Sequence, residues 1–187
     1  MEELGNFLMD RYMSAIEVWA ASVEGIYAFG IYIDENSAPY RPASYLTYNT
    51  LSYTTMMVRQ GIQEDEVKWN FAYWPKSDMV GVDWERKDSI SRNDPSGRSI
   101  LDGWIKSHSD NTTEAMQHEF AALCVSVAQS VMRDSRVLSL LHRDVPLIIF
   151  DDRYDEGTCE VNQRLNIYGS LRPFLDWLRS DAAPIDT

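Results

Sequence analysis

Apolar residues recur at spacings of three and four over the first part of the chain. This period predicts an amphipathic α-helix between residues 3 and 23, ended by Gly25. The next segment, IYAFGIYID at residues 26–34, is aromatic and β-branched throughout, so we predict a strand with little water on either face. The apolar face of the first helix is formed by Leu4, Phe7, Leu8, Tyr12, Ala15, Ile16, Trp19 and Val23.

Two further elements follow a turn rich in Asn, Ser and Pro. A short strand should run through Tyr48, and a helix capped by Asn49 or Thr50 should continue to Gly61. The segment EVKWNFAYWP, residues 66–75, alternates bulky apolar and more polar positions, which predicts a half-buried strand closed by its proline. The residues of this short helix that are expected to be buried are Leu51, Met57 and Val58.

The second half of the chain is mostly helical in pattern. After a polar segment at residues 75–99, which we interpret as a loop with a short regular piece near residues 82–85, helices are predicted at 99–108 and 110–134. Asn111 and Glu114 have the spacing of a capping box at the start of the longer one. A buried strand should occupy 145–151, and two helices with a break at Gly169 should end the fold.

Strands therefore cluster early and helices late, which favours an α+β fold. We expect an antiparallel or mixed sheet of about four to five strands packed with helices in one domain, residues 1–180, and a flexible tail at 181–187. No run of eighteen apolar residues and no export signal is found, so a cytoplasmic protein that does not bind membranes is expected.

The net charge is −12, from 29 acidic and 17 basic residues. Such a surface repels phosphate backbones and attracts basic partners, so nucleic acid is a poor candidate ligand and a basic protein a better one. Acidity that only maintains solubility is an alternative explanation. The cysteine and histidine spacings match no zinc motif, and we expect no cofactor.

An acidic cluster follows the buried strand near the C-terminus. Its oxygen atoms could bind Mg²⁺ or Ca²⁺, but acidic residues also stabilise the start of the helix that follows, and Arg153 could pair with one of them. The metal alternative is a metal-dependent hydrolase using Asp151, Asp152 and Asp155, with His142 or His108 as acid or base. The full cluster is Asp151, Asp152, Asp155 and Glu156.

Two tryptophans flank the polar loop. Trp74 falls on the side of its predicted strand that faces away from the core, and Trp84 lies outside regular structure, so both are candidate contact residues. Asp78 lies between them. The predicted binding residues are thus Trp74, Asp78, Trp84, Asp151, Asp152, Asp155 and Glu156.

The segments IYAFGIYID, YNTLSY, VKWNFAYWP, DVPLIIFDDR and RLN, taken in order, resemble a poorly characterised bacterial domain of unknown function found near toxin and immunity systems. The resemblance spans most of the chain and rests on fold-forming residues. It implies an immunity-type protein that neutralises a toxin by direct binding, with a basic toxin domain as the partner. No catalytic residues come with it, so we expect a non-enzymatic binding protein.

Overall fold

The computed structural model describes residues 3–34, 42–82, 95–140, 145–150, 156–166 and 171–181. Four strands and eight α-helices occupy these ranges, and they form one compact α+β domain. The strands are β1 (Ile26–Asp34), β2 (Ala43–Thr50), β3 (Val80–Val82) and β4 (Leu147–Phe150). The helices are α1 (Glu3–Ser22), α2 (Leu51–Arg59), α3 (Glu64–Trp69), α4 (Pro95–Ser107), α5 (Thr113–Arg133), α6 (Ser135–Leu140), α7 (Glu156–Leu165) and α8 (Arg172–Asp181).

The four strands form a mixed sheet in the order β3-β2-β1-β4. β1 pairs antiparallel with β2, placing Phe29 opposite Tyr48, and parallel with β4, placing Phe29 opposite Leu147. β3 pairs antiparallel with β2. The predicted α+β class with an antiparallel or mixed sheet is therefore confirmed.

Both faces of the sheet are covered, which explains why β1 is apolar along its whole length. Phe29 and Ile31 point into a core formed with α1, α4 and α5, whereas Ala28 contributes to a second core on the opposite face. Gly30 belongs to that second face, where a Cβ would lie 2.8 Å from the rings of both Trp74 and Phe150. Only a residue without a side chain lets these two rings pack on the strand.

The outer edge of β4 is closed by two asparagine side chains, Asn162 on α7 and Asn166 directly after it. The Asn162 amide accepts from the Ile149 N–H at 2.7 Å and donates to the Ile149 carbonyl at 2.8 Å. Asn166, one helical turn later, makes the same pair of bonds to Leu147 at 3.0 and 2.8 Å. The backbone groups of this edge strand are thereby satisfied without a neighbouring strand.

The prediction of a strand at residues 66–75 is wrong. Glu64–Trp69 is an α-helix and Phe71–Tyr73 a 3₁₀-helix. Three acidic residues in the first turn of α3 favour its helical start, and the Asn70 side chain accepts from the Ala72 N–H, which caps the second short helix. The alternation of apolar positions reflects two consecutive short helices that bury their side chains in the same core.

Three smaller expectations also change. Thr112, not Asn111, caps α5, because its side chain accepts from the Ala115 N–H. In α2, which Thr50 caps as expected, Leu51 and Val58 are exposed rather than inside. The expected strand at 145–151 is shorter within the described residues, where it runs from Leu147 to Phe150.

None of the described helices is long and apolar enough to cross a membrane.

Candidate binding surface

The segment from Asn70 to Val82 carries the predicted binding residues that the structure describes. Polar side chains of β2 hold this segment and the helix before it in place. The Thr47 hydroxyl donates to the Pro75 carbonyl at 3.1 Å, and the Asn49 amide donates to the Val67 carbonyl at 2.9 Å. Both side chains are fully buried, so water does not compete for these bonds. The backbone between them is therefore fixed against the sheet.

Trp74 does not lie at the surface. Only 1% of it is exposed, its indole N–H donates to the Lys68 carbonyl at 3.0 Å, and its ring packs edge-on against Phe150 with centroids 5.1 Å apart. The prediction that it faces away from the core is wrong, because this part of the chain is helical and the side chain turns inward. Its role is to anchor the segment that follows.

Asp78 is the predicted binding residue that the structure places at the surface. Its carboxylate accepts from the Tyr48 hydroxyl at 3.2 Å and from the Ser77 hydroxyl at 3.1 Å. The Tyr48 ring lies against Trp19, with centroids 4.9 Å apart, which fixes the direction of its hydroxyl. A charged side chain held by two donors loses little rotational entropy when it meets a partner.

The protonation state of Tyr48 suits this arrangement. Partial burial raises the pKa of its hydroxyl, and the nearby carboxylate of Asp78 raises that pKa further. Tyr48 therefore stays neutral at physiological pH and can donate its hydroxyl proton to Asp78. The neighbouring Lys76 ammonium lies 3.5 Å from the centre of the Phe71 ring and donates to the Phe71 carbonyl at 2.6 Å.

The other predicted binding residues are not brought to this surface by anything the structure describes. Trp84, Asp151, Asp152 and Asp155 lie outside the described residues, and so does the side chain of Glu156, the first residue of α7. Among the described residues, no group of three or more His, Cys, Asp and Glu side chains could hold a metal ion.

His108 is the candidate acid or base whose surroundings are described. Its Nδ1 lies 2.7 Å from the Trp104 carbonyl and 2.9 Å from the Ser107 hydroxyl, and its Nε2 lies 3.2 Å from a Glu119 oxygen. A carbonyl oxygen only accepts, so Nδ1 bonds to it as an N–H and does not withdraw the proton of Ser107. The Ser107 and His108 side chains therefore bond back to the Trp104 carbonyl at the end of α4, and the His108 Nε2 faces Glu119 on α5. His142 lies outside the described residues.

The two hydrogen-bond donors to Asp78, Tyr48 and Ser77, were not predicted from the sequence as binding residues. Tyr48 was expected only as the end of a strand, and Ser77 only as part of a loop. Tyr48 and Asp78 are 30 positions apart, and the pairing of β2 with β3 brings them together. No local pattern records that pairing.

Comparisons of the chain with models of protein families, with curated proteins and with solved structures found no match.

Proposed function

We propose that this protein is a non-enzymatic acidic binding protein that neutralises a basic protein partner by direct contact, as an immunity-type protein silences a bacterial toxin. The observation that carries the proposal is the placement of the acidic residues. The net charge is −12, and none of the Asp and Glu side chains that the structure describes is buried. Carboxylates at the surface attract a basic partner over a distance of about 10 Å at moderate salt, which accelerates association.

The Asp78 surface, formed by Tyr48, Ser77 and Asp78, supports the same proposal. It offers one oriented carboxylate on a segment that is fixed to the sheet by Thr47 and Trp74. Lys and Arg side chains are the natural complements of such a group. The Trp74 ring, which anchors this segment, packs against the rings of Phe71 and Phe150.

Affinity capture of the tagged protein in its native cells tests the proposal. A basic protein should be retained at low salt and released at several hundred millimolar salt, and the purified pair should associate more slowly as salt is raised. Expression of the captured protein alone should arrest growth, and co-expression of this chain should restore it. A folded chain that retains no basic protein at either salt concentration would contradict the proposal.

Two variants separate a specific contact from general charge. Asp78→Asn should slow association, whereas Glu160→Gln should not, because Glu160 already pairs with Arg164 at 2.8 Å on α7.

Calorimetry with Mg²⁺, Ca²⁺ and Mn²⁺ separates the binding protein from the hydrolase alternative. Heat of binding that Asp151→Asn abolishes would favour the metal-dependent hydrolase.

A further inference from the structure

His108 links the end of α4 to the first turns of α5. Its backbone carbonyl accepts from the Asn111 N–H at 3.0 Å in the turn between the two helices. The Asn111 amide donates to both oxygens of the Glu119 carboxylate at 3.2 and 3.3 Å, and that carboxylate lies 3.2 Å from the His108 Nε2. His108, Asn111 and Glu119 therefore form a closed ring of contacts around the turn.

Both neighbours of the His108 Nδ1 are hydrogen-bond acceptors. The Trp104 carbonyl lies 2.7 Å away. The Ser107 hydroxyl, 2.9 Å away, donates its own proton to that carbonyl at 2.8 Å, so its lone pairs are left to face the imidazole. Nδ1 therefore carries a hydrogen, and Nε2 is the nitrogen that gains or loses a proton.

The surroundings of Nε2 favour a second proton on the imidazole. Without it, a nitrogen lone pair would face a carboxylate oxygen 3.2 Å away, and two acceptors repel each other. With it, the imidazolium ion donates a charge-assisted hydrogen bond to Glu119. The His108 side chain is only 16% exposed, so salt and water screen this pair less than a pair of fully exposed charges.

Two further contacts stabilise a positive charge on the His108 imidazole. The Trp104 indole stacks on it, with centroids 4.3 Å apart and 25° between the ring planes, and the face of an indole attracts cations. His108 also directly follows Ser107, the last residue of α4, where the helix dipole presents its negative end. Trp104 packs in turn against Phe120 of α5, so one network of contacts joins the imidazole to both helices.

Other charged side chains lie on the elements around this pair. On α1, which packs against α4, the Arg11 guanidinium lies over the Phe7 ring, and Phe7 packs against Gly97, about 16 Å along α4 from His108. Asp, Glu, Lys and Arg side chains ordinarily keep one charge state between about pH 6 and 8, so the described group to separate from His108 is the second histidine of this region. The charged and titratable residues nearest in the chain are Lys106 on α4, Asp110 in the turn, and Glu114 and His118 on α5.

We propose that His108 is a pH-sensitive latch between α4 and α5. With two protons on its imidazole it holds Glu119 and the turn in place, and when Nε2 loses its proton the contact with Glu119 becomes repulsive and the turn loosens. The folded protein then binds this proton more tightly than the unfolded chain, in which a histidine titrates near about pH 6.5. The latch therefore stabilises the fold fully below that pH, and the stabilisation is lost as the pH rises. This inference involves no partner and is independent of the proposed function.

Nuclear magnetic resonance of the protein labelled with ¹⁵N-histidine measures the proton on each ring nitrogen. Resonances are assigned with His108→Phe and His118→Gln. The neutral imidazole of His108 should keep its hydrogen on Nδ1, and its Nε2 proton should be lost at a higher pH than the second proton of His118. Glu119→Gln should move that loss to a lower pH, because a glutamine amide donates to an unprotonated Nε2. Glu114→Gln removes a different carboxylate from the same helix, so this matched control should leave the loss where it is.

Urea unfolding between about pH 6 and 8 connects this proton to stability. The unfolding midpoint should fall as the pH rises, and it should fall less in His108→Phe, whose ring can still stack on Trp104. Glu119→Gln should flatten the pH dependence in the same way and replaces His108→Phe where that variant does not fold. Three results would each overturn the inference: a neutral His108 with its hydrogen on Nε2, an Nε2 proton lost at the same pH with and without the Glu119 carboxylate, or equal pH dependence of the midpoint in the protein and the variant.

Discussion

Asn162 should contribute more to stability than its size suggests. Its fully buried amide makes three hydrogen bonds, two to Ile149 and one to the Thr158 carbonyl at 3.0 Å. Asn162→Ala would leave the N–H and carbonyl of Ile149 without partners at the closed edge of β4. Each unsatisfied buried backbone group costs about 1 to 3 kcal/mol, so the variant should lose about 2 to 6 kcal/mol. That is a large share of the roughly 5 to 15 kcal/mol that stabilises a domain.

Asn166→Ala is the matched control. Asn166 makes the equivalent bonds to Leu147 but is only partly buried, so water can replace its amide and the loss should stay near 1 kcal/mol. Urea unfolding followed by tryptophan fluorescence and circular dichroism measures both variants, with the m-value expected to be unchanged. Equal losses in the two variants would refute the reasoning, because they would show that burial of the Asn162 bonds adds nothing.

A second substitution tests the direction of the bonds. Asn162→Asp preserves the shape of the side chain but aims a carboxylate at the carbonyl oxygens of Ile149 and Thr158, which lie 2.8 and 3.0 Å from the original amide nitrogen. This variant should be the least stable at pH 7. Its loss should shrink as the pH falls, because a protonated acid can donate to one of those oxygens. A loss independent of pH would contradict the assigned orientation of the amide.

Three further predictions concern other parts of the fold. Gly81→Ala should cost about 2 to 3 kcal/mol in urea unfolding, because a Cβ there would lie 1.8 Å from the Ser44 carbonyl oxygen and neither backbone can move without breaking the pairing of β2 and β3. Gly103→Ala is its control and should stabilise the protein by about 0.5 to 1 kcal/mol, since no atom lies within 4 Å of the added Cβ and the residue is inside α4. A loss of stability in Gly103→Ala would show that the clash with Ser44 is not the cause of the loss in Gly81→Ala. Burial raises the pKa of Tyr12 well above its usual value. Above about pH 10 the unfolded chain therefore releases a proton that the folded protein keeps. The free energy of unfolding should then fall by about 1.4 kcal/mol per pH unit more in this protein than in Tyr12→Phe. Parallel slopes in the two proteins would contradict this. Thr112→Ala should cost about 1 kcal/mol through loss of the α5 cap, and an unchanged midpoint of urea unfolding would refute that role.

Long periodic segments could be predicted from the sequence because their burial follows their own residue pattern. The pattern places α1 and β1 within a residue or two, and the continuous apolar character of β1 correctly indicates that both its faces are covered. The strand expected at residues 66–75 failed because a period of two in a short segment also fits two short helices packed on one core. Length and periodicity alone do not distinguish these cases.

The candidate binding surface was predictable only in part. Asp78 was expected near a surface loop, and it lies at the surface, but its donor Tyr48 is 30 positions away and comes close through the pairing of β2 with β3. Trp74 was expected to contact a partner because tryptophan is common at binding surfaces. It is buried instead, because its indole N–H donates to a backbone carbonyl inside the fold.

The sequence by itself determined the acidic charge, the helical and apolar segments and the α+β class, since these depend on composition and on the short-range order of residues. The tertiary structure decided which faces those segments bury. It turned Trp74 inward, left Leu51 and Val58 of α2 outside, and used Asn162 and Asn166 to close a sheet edge. The physical reason is that burial and hydrogen-bond partners are properties of pairs of segments, and these pairs form only when distant parts of the chain meet.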